Sequence, residues 1–244
     1  MNTLLTIAKR EFRAYFDSPL AYVVICLSFF GLGLMFFMYQ GGYWQIDRAT
    51  LQPLFEYVPA GLAMLVVPVV TMRLMSEERR SGTLEMLITL PVKDSDVIMG
   101  KYLGALGLVL TVVLASLAYP ILMFKFPWTL GPMDMGPVLS GYVGLVLYSA
   151  AAVAVGLLIS SLTESQAVSF FITFFVLGAF WFSGSMADQM DGTFANVLHY
   201  VSFQSRMTGF MRGLIDTRDV VFFLSITILA LVVSFRSLER RKWA

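Results

Sequence analysis

One stretch of this sequence, from Arg73 to Pro91, gathers six charged side chains. Only 14% of the 244 residues are charged, yet this stretch contains Arg73, Glu77, Glu78, Arg79, Arg80 and Glu85. It lies between two long apolar segments. A charged cluster between two apolar segments is typical of a surface that binds another protein or of a loop that sets membrane topology.

The second half of the stretch has the pattern of a short amphipathic helix from Thr83 to Leu90. Thr83 can cap its N-terminus, and Glu85 lies in the first turn, where the helix dipole favours an anion. Leu84, Leu87 and Ile88 share one face. Gly82 allows the chain to bend before this helix, and Pro91 ends it. We predict a docking helix here; the alternative is an ordinary charged loop.

The residues required by common catalytic machineries do not occur in suitable combinations. His199 is the only histidine, which excludes an H-E-x-x-H zinc site. It lies in the predicted outer segment, which excludes a Ser–His pair within the membrane. Gly100-Lys101 is followed by Tyr102 and has no upstream glycine, so there is no phosphate-binding loop. Cys26 is the only cysteine. We therefore predict a non-catalytic chain without a metal site, although methionines near His199 have the chemistry of a Cu(I) ligand set.

Composition places the chain in the membrane, because 58% of its residues are hydrophobic and the mean hydropathy is +0.77. The predicted fold class is all-α, a polytopic membrane protein with one transmembrane domain over residues 1–244. Six stretches are long enough to cross about 30 Å of hydrocarbon. They are residues 20–40, 57–75, 98–124, 138–160, 166–185 and 219–236. Their interiors are expected to carry no ionisable residue, which disfavours an ion-driven carrier.

Residues 1–18 have the pattern of an interfacial helix. Leu5, Ala8, Phe12, Tyr15 and Phe16 form its apolar stripe, and lysine and arginine lie on the other side. Such a basic amphipathic helix is typical of a membrane surface. The alternative is that these basic residues only flank the first span.

The distribution of lysine and arginine predicts the orientation. Twelve of the 17 lie in the two terminal regions or between spans two and three. The positive-inside rule therefore places both termini and the segment 76–96 in the cytoplasm. Glu164, in the short turn between spans four and five, would be a second cytoplasmic contact.

The segment 186–218, between spans five and six, is rich in apolar residues and predicts short re-entrant or capping helices on the outer face. Their candidate functional residues are Phe203, Met207, Phe210, Arg212 and Asp216. Asp216 and Asp219 are typical of a helix start for span six.

Small residues and prolines give two further predictions about the spans. The pairs Gly100–Gly104 and Ala152–Gly156 would allow close helix approach. Pro59 and Pro68 would kink span two.

The sequence E-E-R-R-S-G-T-L-E-M-L-I-T-L-P, from Glu77 to Pro91, resembles the signature of type-2 ABC transporter permeases. The following V-K-D-S-D-V-I-M-G-K-Y-L-G is similar to the family's entry into span three. The stretches F-M-R-G-L-I-D-T-R-D-V and R-S-L-E-R-R-K-W resemble the gliding-motility branch. A related branch that serves copper-enzyme maturation has similar ends.

The resemblance implies a subunit of an ABC exporter in the bacterial inner membrane, working as a homodimer or heterodimer. An ATP-binding subunit would hold ATP and Mg²⁺, and this chain would bind no cofactor and no nucleic acid. Leu84, Leu87 and Ile88 would enter a groove of that subunit, with Glu77, Glu78, Arg79 and Glu85 around them. An alternative is a subunit that transmits force to a periplasmic or membrane-anchored accessory protein without moving a solute.

Overall fold

The computed structural model describes residues 3–38, 51–82, 93–125 and 134–239, and every regular element within these ranges is helical. Five helical segments are long and apolar enough to cross a membrane, or six if a bent pair at the N-terminus counts as one span. The all-α prediction and the multi-pass architecture are thereby confirmed for the described residues.

The bent pair consists of α1 (Thr3–Asp17) and α2 (Pro19–Met38), whose axes differ in direction by 74°. Pro19 separates them, because a proline cannot continue the hydrogen-bond ladder of the preceding helix but fits the first turn of the next. This bend leaves α1 free to pack across the end of the helical bundle.

The second span is irregular and runs over Gln52–Arg80. It comprises α3 (Gln52–Gly61), a π-helical turn (Leu62–Val66), α4 (Val67–Thr71) and α5 (Ser76–Arg80). The sequence predicts its start near residue 57, but the helix begins earlier, with a proline in its first turn. Pro59 and Pro68 lie on either side of the π-helical turn, and each lacks the N–H that a regular α-helix would use.

The third span begins with α6 (Asp94–Ala115) and continues as α7 (Ala118–Lys125). Asp94 and Asp96 lie in its first turn, where the helix dipole favours carboxylates. The helix thus begins four residues before the predicted start of span three at residue 98, and Lys101 is its eighth residue.

The central element is α8 (Met135–Leu162), which packs against several of the other helices. Its N-cap is Asp134, whose side chain accepts a hydrogen bond from the Gly136 N–H at 3.0 Å. Gly141 and Gly144 leave room for the rings of Phe55 and Phe210, since a Cβ at either position would lie within 2.9 Å of those rings. Gly156 likewise faces Thr71, which agrees with the close approach expected for this glycine.

The remaining helices are α9 (Gln166–Ala187), α10 (Thr193–Val201), α11 (Phe203–Met211) and α12 (Thr217–Glu239). The two short helices α10 and α11 lie between the fifth and sixth spans, as predicted. Asp216 precedes α12 and accepts a hydrogen bond from the Arg218 N–H at 2.9 Å, so it caps the last span.

Candidate functional site

The ends of several helices bring charged residues together on one side of the bundle. We call this surface the charged end and define it by Glu11, Arg73, Glu77, Glu78, Arg79, Lys101 and Glu164. It is formed by α1, α5, the first turns of α6 and the turn between α8 and α9. The residues that follow α5 in sequence are those of the predicted docking helix.

Lys101 is the most deeply buried charge of the charged end, with 3% of its side chain exposed. Its Nζ lies 2.7 Å from Glu78 Oε1 and 3.4 Å from Glu11 Oε1. One ammonium group therefore joins three elements: α1, α5 and α6. A buried charge is tolerated only when it is paired in this way, because burial removes it from water.

The close contact between α1 and α6 depends on glycines in α6. A Cβ at Gly100 would lie 2.6 Å from Ile7 Cγ2, and one at Gly104 would lie 2.6 Å from Glu11 Cβ. A Cβ at Gly107 would also be only 2.9 Å from the ring of Phe12. The predicted glycine pair thus serves close packing, and its partner is the N-terminal helix.

This contact changes the interpretation of α1 as a purely interfacial helix. Ala8, Phe12 and Tyr15 of the predicted apolar stripe face the bundle, whereas Leu5 is exposed. Glu11 lies among the packed residues, and its carboxylate is paired with Arg10 at 2.8 Å and with Lys101 at 3.4 Å. The stripe is therefore a protein contact in part, and it includes an acidic residue that the apolar pattern does not predict.

Arg79 connects α5 to the turn after α8. Its guanidinium donates to the Ser161 carbonyl at 3.1 Å and lies 3.5 Å from Glu164 Oε1. Only 7% of the Arg79 side chain is exposed, against 79% for Glu164. Nearby, Ser160 Oγ accepts hydrogen bonds from the Met75 and Ser76 N–H groups, at 3.1 and 3.3 Å. The start of α5 is therefore fixed to the end of α8.

Tyr15 and Arg73 complete the charged end. The Tyr15 hydroxyl donates to the Val70 carbonyl at 2.9 Å, which joins α1 to the second span. Burial, together with the negative charge of Glu11, raises the pKa of the Tyr15 phenol well above its usual range, so this donor keeps its proton. Arg73 Nε lies 3.3 Å from Glu77 Oε2.

The predicted coupling residues are divided between the described and undescribed parts of the chain. Glu77, Glu78, Arg79 and Gly82 are described, and Gly82 has φ of +71°, which supports the predicted bend after α5. Thr83, Leu84, Glu85, Leu87, Ile88 and Pro91 lie outside the described residues. Glu164 is brought to Arg79, so two of the predicted contact regions lie side by side.

The predicted outer residues lie at the opposite end of α8. Phe203, Met207 and Phe210 are fully buried, so they hold α11 on the spans. Ser140 Oγ, near the start of α8, donates to the Phe210 carbonyl at 2.6 Å. Ser140 and Ser161 are 21 residues apart, which corresponds to about 31 Å along a helix. This separation matches the hydrocarbon thickness of about 30 Å.

Arg212 and Asp216 are exposed, unlike the three apolar outer residues. A neighbouring arginine that the sequence does not single out, Arg206, is better connected. It lies 3.0 Å from Asp219 Oδ1, donates to the Tyr200 carbonyl and stacks over the Tyr200 and Phe222 rings. The His199 ring lies between two partners: its Nε2 is 3.1 Å from Asp188 Oδ1, and its Nδ1 is 3.1 Å from Ser205 Oγ. These contacts fix α10 and α11 relative to the last two spans.

Lys101 and Glu11 are the functional candidates that the sequence interpretation misses. Lys101 lies inside α6, at the charged end, whereas the sequence pattern alone predicts a residue that flanks the third span. One signal was available: a lysine eight residues into an apolar helix needs an anion nearby. The identity of that anion depends on tertiary contacts. Among the described residues, no group of three His, Cys, Asp or Glu side chains comes together as a metal site would require.

Comparison with known proteins gives the family. The model of the ABC-2 family transporter proteins matches residues 52–235, from the start of α3 almost to the end of α12. The chain belongs to the ABC-2 transporter family. Members of this family are membrane components of ABC transporters, are generally not catalytic themselves and normally work with an ATP-binding subunit.

An individual relative of this ABC-2 protein is a probable multidrug ABC transporter permease, YbhR, of Escherichia coli K12. The two are 31% identical over 131 residues, which is 52% of this chain and 34% of the relative. The same protein from Escherichia coli O157:H7 matches equally well. The match thus spans about a third of the length of these relatives.

Proposed function

We propose that this ABC-2 protein is the membrane subunit of an ATP-driven exporter, and that its charged end receives the movement of a separate ATP-binding subunit. The observation that carries the proposal is the fixation of α5 at three points. Lys101 ties it to α6 and α1, Arg79 ties it to the turn after α8, and Ser160 binds its first N–H groups. A displacement of the chain that follows α5 would be passed to several spans at once.

The residues that would enter the ATP-binding subunit are Leu84, Leu87 and Ile88 of the predicted docking helix, with Thr83 as its cap and Glu85 in its first turn. Glu77 and Glu164 are exposed carboxylates on the same surface and would add polar contacts. ATP and Mg²⁺ would be bound by the partner. The proposed location is the bacterial inner membrane, with both termini and the charged end in the cytoplasm, because the basic residues collect there.

Two permease chains would pair, as a homodimer or heterodimer. For the branch of the family, the stretches 210–220 and 236–243 support a gliding-motility-type complex, and a permease for copper-enzyme maturation is the alternative. The name of the relative, a probable multidrug permease, supports an apolar or amphipathic solute.

The test of this proposal begins with extraction of the tagged protein from its own membranes and mass spectrometry of the proteins that accompany it. We expect an ATP-binding subunit. In the reconstituted complex, Leu84→Asp places a charge in the proposed apolar contact, which costs several kcal/mol, and Glu85→Arg reverses a charge at its polar edge. Each should reduce membrane-subunit-dependent ATPase activity by at least about tenfold.

Leu214→Asp is the matched control, because Leu214 is exposed at the opposite end of the bundle. It should leave ATPase activity near the wild-type value. Unchanged activity in both docking-helix variants, with the complex still assembled, would contradict the proposal. Recovery of this chain alone from several detergents would also contradict it.

A second candidate function is force transmission to an outer partner without movement of a solute. The observation that favours it is the asymmetry of the outer helices. α11 is buried on the spans, whereas α10 exposes Phe194, Val197 and Tyr200. An exposed apolar face on a firmly anchored helix is suited to bind a protein on the outer side.

A further inference from the structure

A long apolar groove follows the contact between α2 and the second span. Its deeper part has a volume of about 300 Å³ and is lined by residues that include Ser28, Gly31, Tyr57 and Gly61. The adjoining part, of about 390 Å³, is lined by residues that include Ser18, Val23, Val69 and Arg73. Both parts share Leu27 and Leu65, so they form one depression, which we call the α2 groove.

Among the described residues, the charged side chain that lines the α2 groove lies at one of its ends. Arg73 and Ser18 line its end and also line the adjoining polar crevice of the charged end. Arg73 uses its Nε for Glu77, and its side chain is 37% exposed. Because a guanidinium has five N–H donors, Arg73 can bind a second anion. No charged residue lines the deeper part of the groove among the described residues.

Further positive charge lies beyond Arg73, on the exposed face of α1. Lys9, Arg10 and Arg13 line a shallow depression there, with Asp17 as the only acid among its lining residues. Ala14 borders both this depression and the polar crevice of the charged end. The crevice between them also contains the carboxylates of Glu11 and Glu77, which pair with Arg10 at 2.8 Å and with Arg73 at 3.3 Å. Lys9 and Arg13 still give the mouth of the groove a basic neighbour that can attract an anionic head group.

The dimensions of the groove suit an extended chain. Val58 and Arg73 lie on its two parts and are 15 residues apart, which is about 22 Å along a helix. One leaflet of a membrane has a hydrocarbon depth of roughly 15 Å.

We propose that the α2 groove binds one acyl chain of a membrane phospholipid, whose phosphate is held by Arg73. The apolar lining, the arginine at one end and a length that exceeds the depth of one leaflet can accommodate this amphipathic molecule. The site is independent of the ATP-binding subunit, so it can be tested on the purified chain whether or not the proposed coupling is correct.

Two glycines allow the groove to be filled without disturbing the fold. Neither Gly31 nor Gly61 has another atom within 4 Å of the position that a Cβ would occupy. Gly31→Leu and Gly61→Leu would place their side chains in the space of the lipid chain. Val232→Phe enlarges an exposed apolar residue of α12 outside the groove and is the control.

The experiment uses a phosphatidylglycerol with a photoactivatable group on its acyl chain, added to the purified full-length protein in mixed micelles. Peptide mapping should find the label between Leu27 and Met35 and between Tyr57 and Val66. In Gly31→Leu and Gly61→Leu this labelling should fall by about tenfold, because the lipid would lose much of its buried apolar area. Val232→Phe should label as the wild type does.

The phosphate contact needs a second comparison. A diacylglycerol probe carries the same photoactivatable chain but has no phosphate. The wild type should prefer the phospholipid probe by about threefold, as expected for a half-exposed ion pair. Arg73→Gln should abolish this preference. Arg236→Gln should retain it, since Arg236 is also half of a short-range helix ion pair but lies outside the groove.

Three results would overturn the proposal. The first is labelling spread evenly over the exposed faces of α9 and α12 and unaffected by the leucine variants. The second is equal labelling by the two probes in the wild type. The third is a disulfide between two copies through Met35→Cys in a Cys26→Ser background, which would assign the groove to a subunit interface.

Discussion

A lysine held between two carboxylates at the end of a helical bundle is costly to disturb. Lys101 Nζ contacts Glu78 and Glu11, and almost none of its side chain reaches solvent. Coulomb attraction at such distances offsets the desolvation of the ammonium group only while both acids stay in place. The contact therefore fixes the relative positions of α1, α5 and α6.

Replacement of this lysine should expose its energetic role. Lys101→Met removes the cation between the two carboxylates and should lower the free energy of unfolding by about 3 kcal/mol, as is typical when a buried ion pair loses one partner. The measurement is denaturant unfolding in detergent, followed by circular dichroism. Lys93→Met is the control, since Lys93 is exposed just before α6. Equal stability of the two variants would contradict a structural role for Lys101.

At the scale of the element, α1 is held by shape as well as by charge. The glycines of α6 bring the two backbones close enough for the Ala8 carbonyl to lie 3.2 Å from the position of a Cβ on Gly104. A Cβ at Gly104 could not be accommodated by rotating side chains alone, because one of the atoms it would meet belongs to the backbone of α1. The same helix carries the basic residues near the α2 groove, so its position affects both sites.

A single methyl group should therefore separate α1 from α6. Gly104→Ala should destabilise the protein by about 1–3 kcal/mol through overpacking, despite the better helix propensity of alanine. Trypsin should then cleave faster after Lys9, Arg10 and Arg13. Gly178→Ala is the matched control, because its Cβ would make only an ordinary contact, at 3.7 Å from Met64 Cε. Cleavage at the wild-type rate in Gly104→Ala would show that α1 is not held by this contact.

For the whole molecule, α8 separates two ends with different characters. The charged end lies at the C-terminus of α8, and α10 and α11 lie near its N-terminus, about 31 Å away along the helix. Because α11 is buried through Phe203, Met207 and Phe210, removal of the outer helices would open the core. A test of the outer end must therefore change only its exposed face.

Substitutions on α10 distinguish the two candidate functions. If force is transmitted to an outer partner, Phe194→Ser and Val197→Ser together should abolish the activity of the complex in cells. ATPase stimulation in the purified complex should stay within about twofold of the wild type, because both residues lie far from the charged end. Leu214→Ser, at an exposed position of the same end, should leave both unchanged. Full activity of the α10 double variant would favour a simple exporter.

The sequence by itself determined the class of the protein and most of its local structure. The all-helical, multi-pass class, the short helices before the last span, the cap of α12 and the bend at Gly82 follow from hydropathy, segment length and residue-specific backbone preferences. These properties depend on neighbours in sequence. Of the six predicted spans, five are single helical segments long enough to cross a membrane, and the first is reached only by the bent pair α1 and α2. Polar first turns such as that of α6 extend a helix beyond its apolar part.

Only the tertiary structure decided which residues meet. The partners of Lys101, the use of Gly100 and Gly104 to bind α1, and the burial of Phe203, Met207 and Phe210 all join segments that are far apart in sequence. A glycine pair indicates that something packs closely, and a lysine in an apolar helix indicates that an anion is near. Neither pattern identifies the partner, because that depends on which helices the fold places side by side.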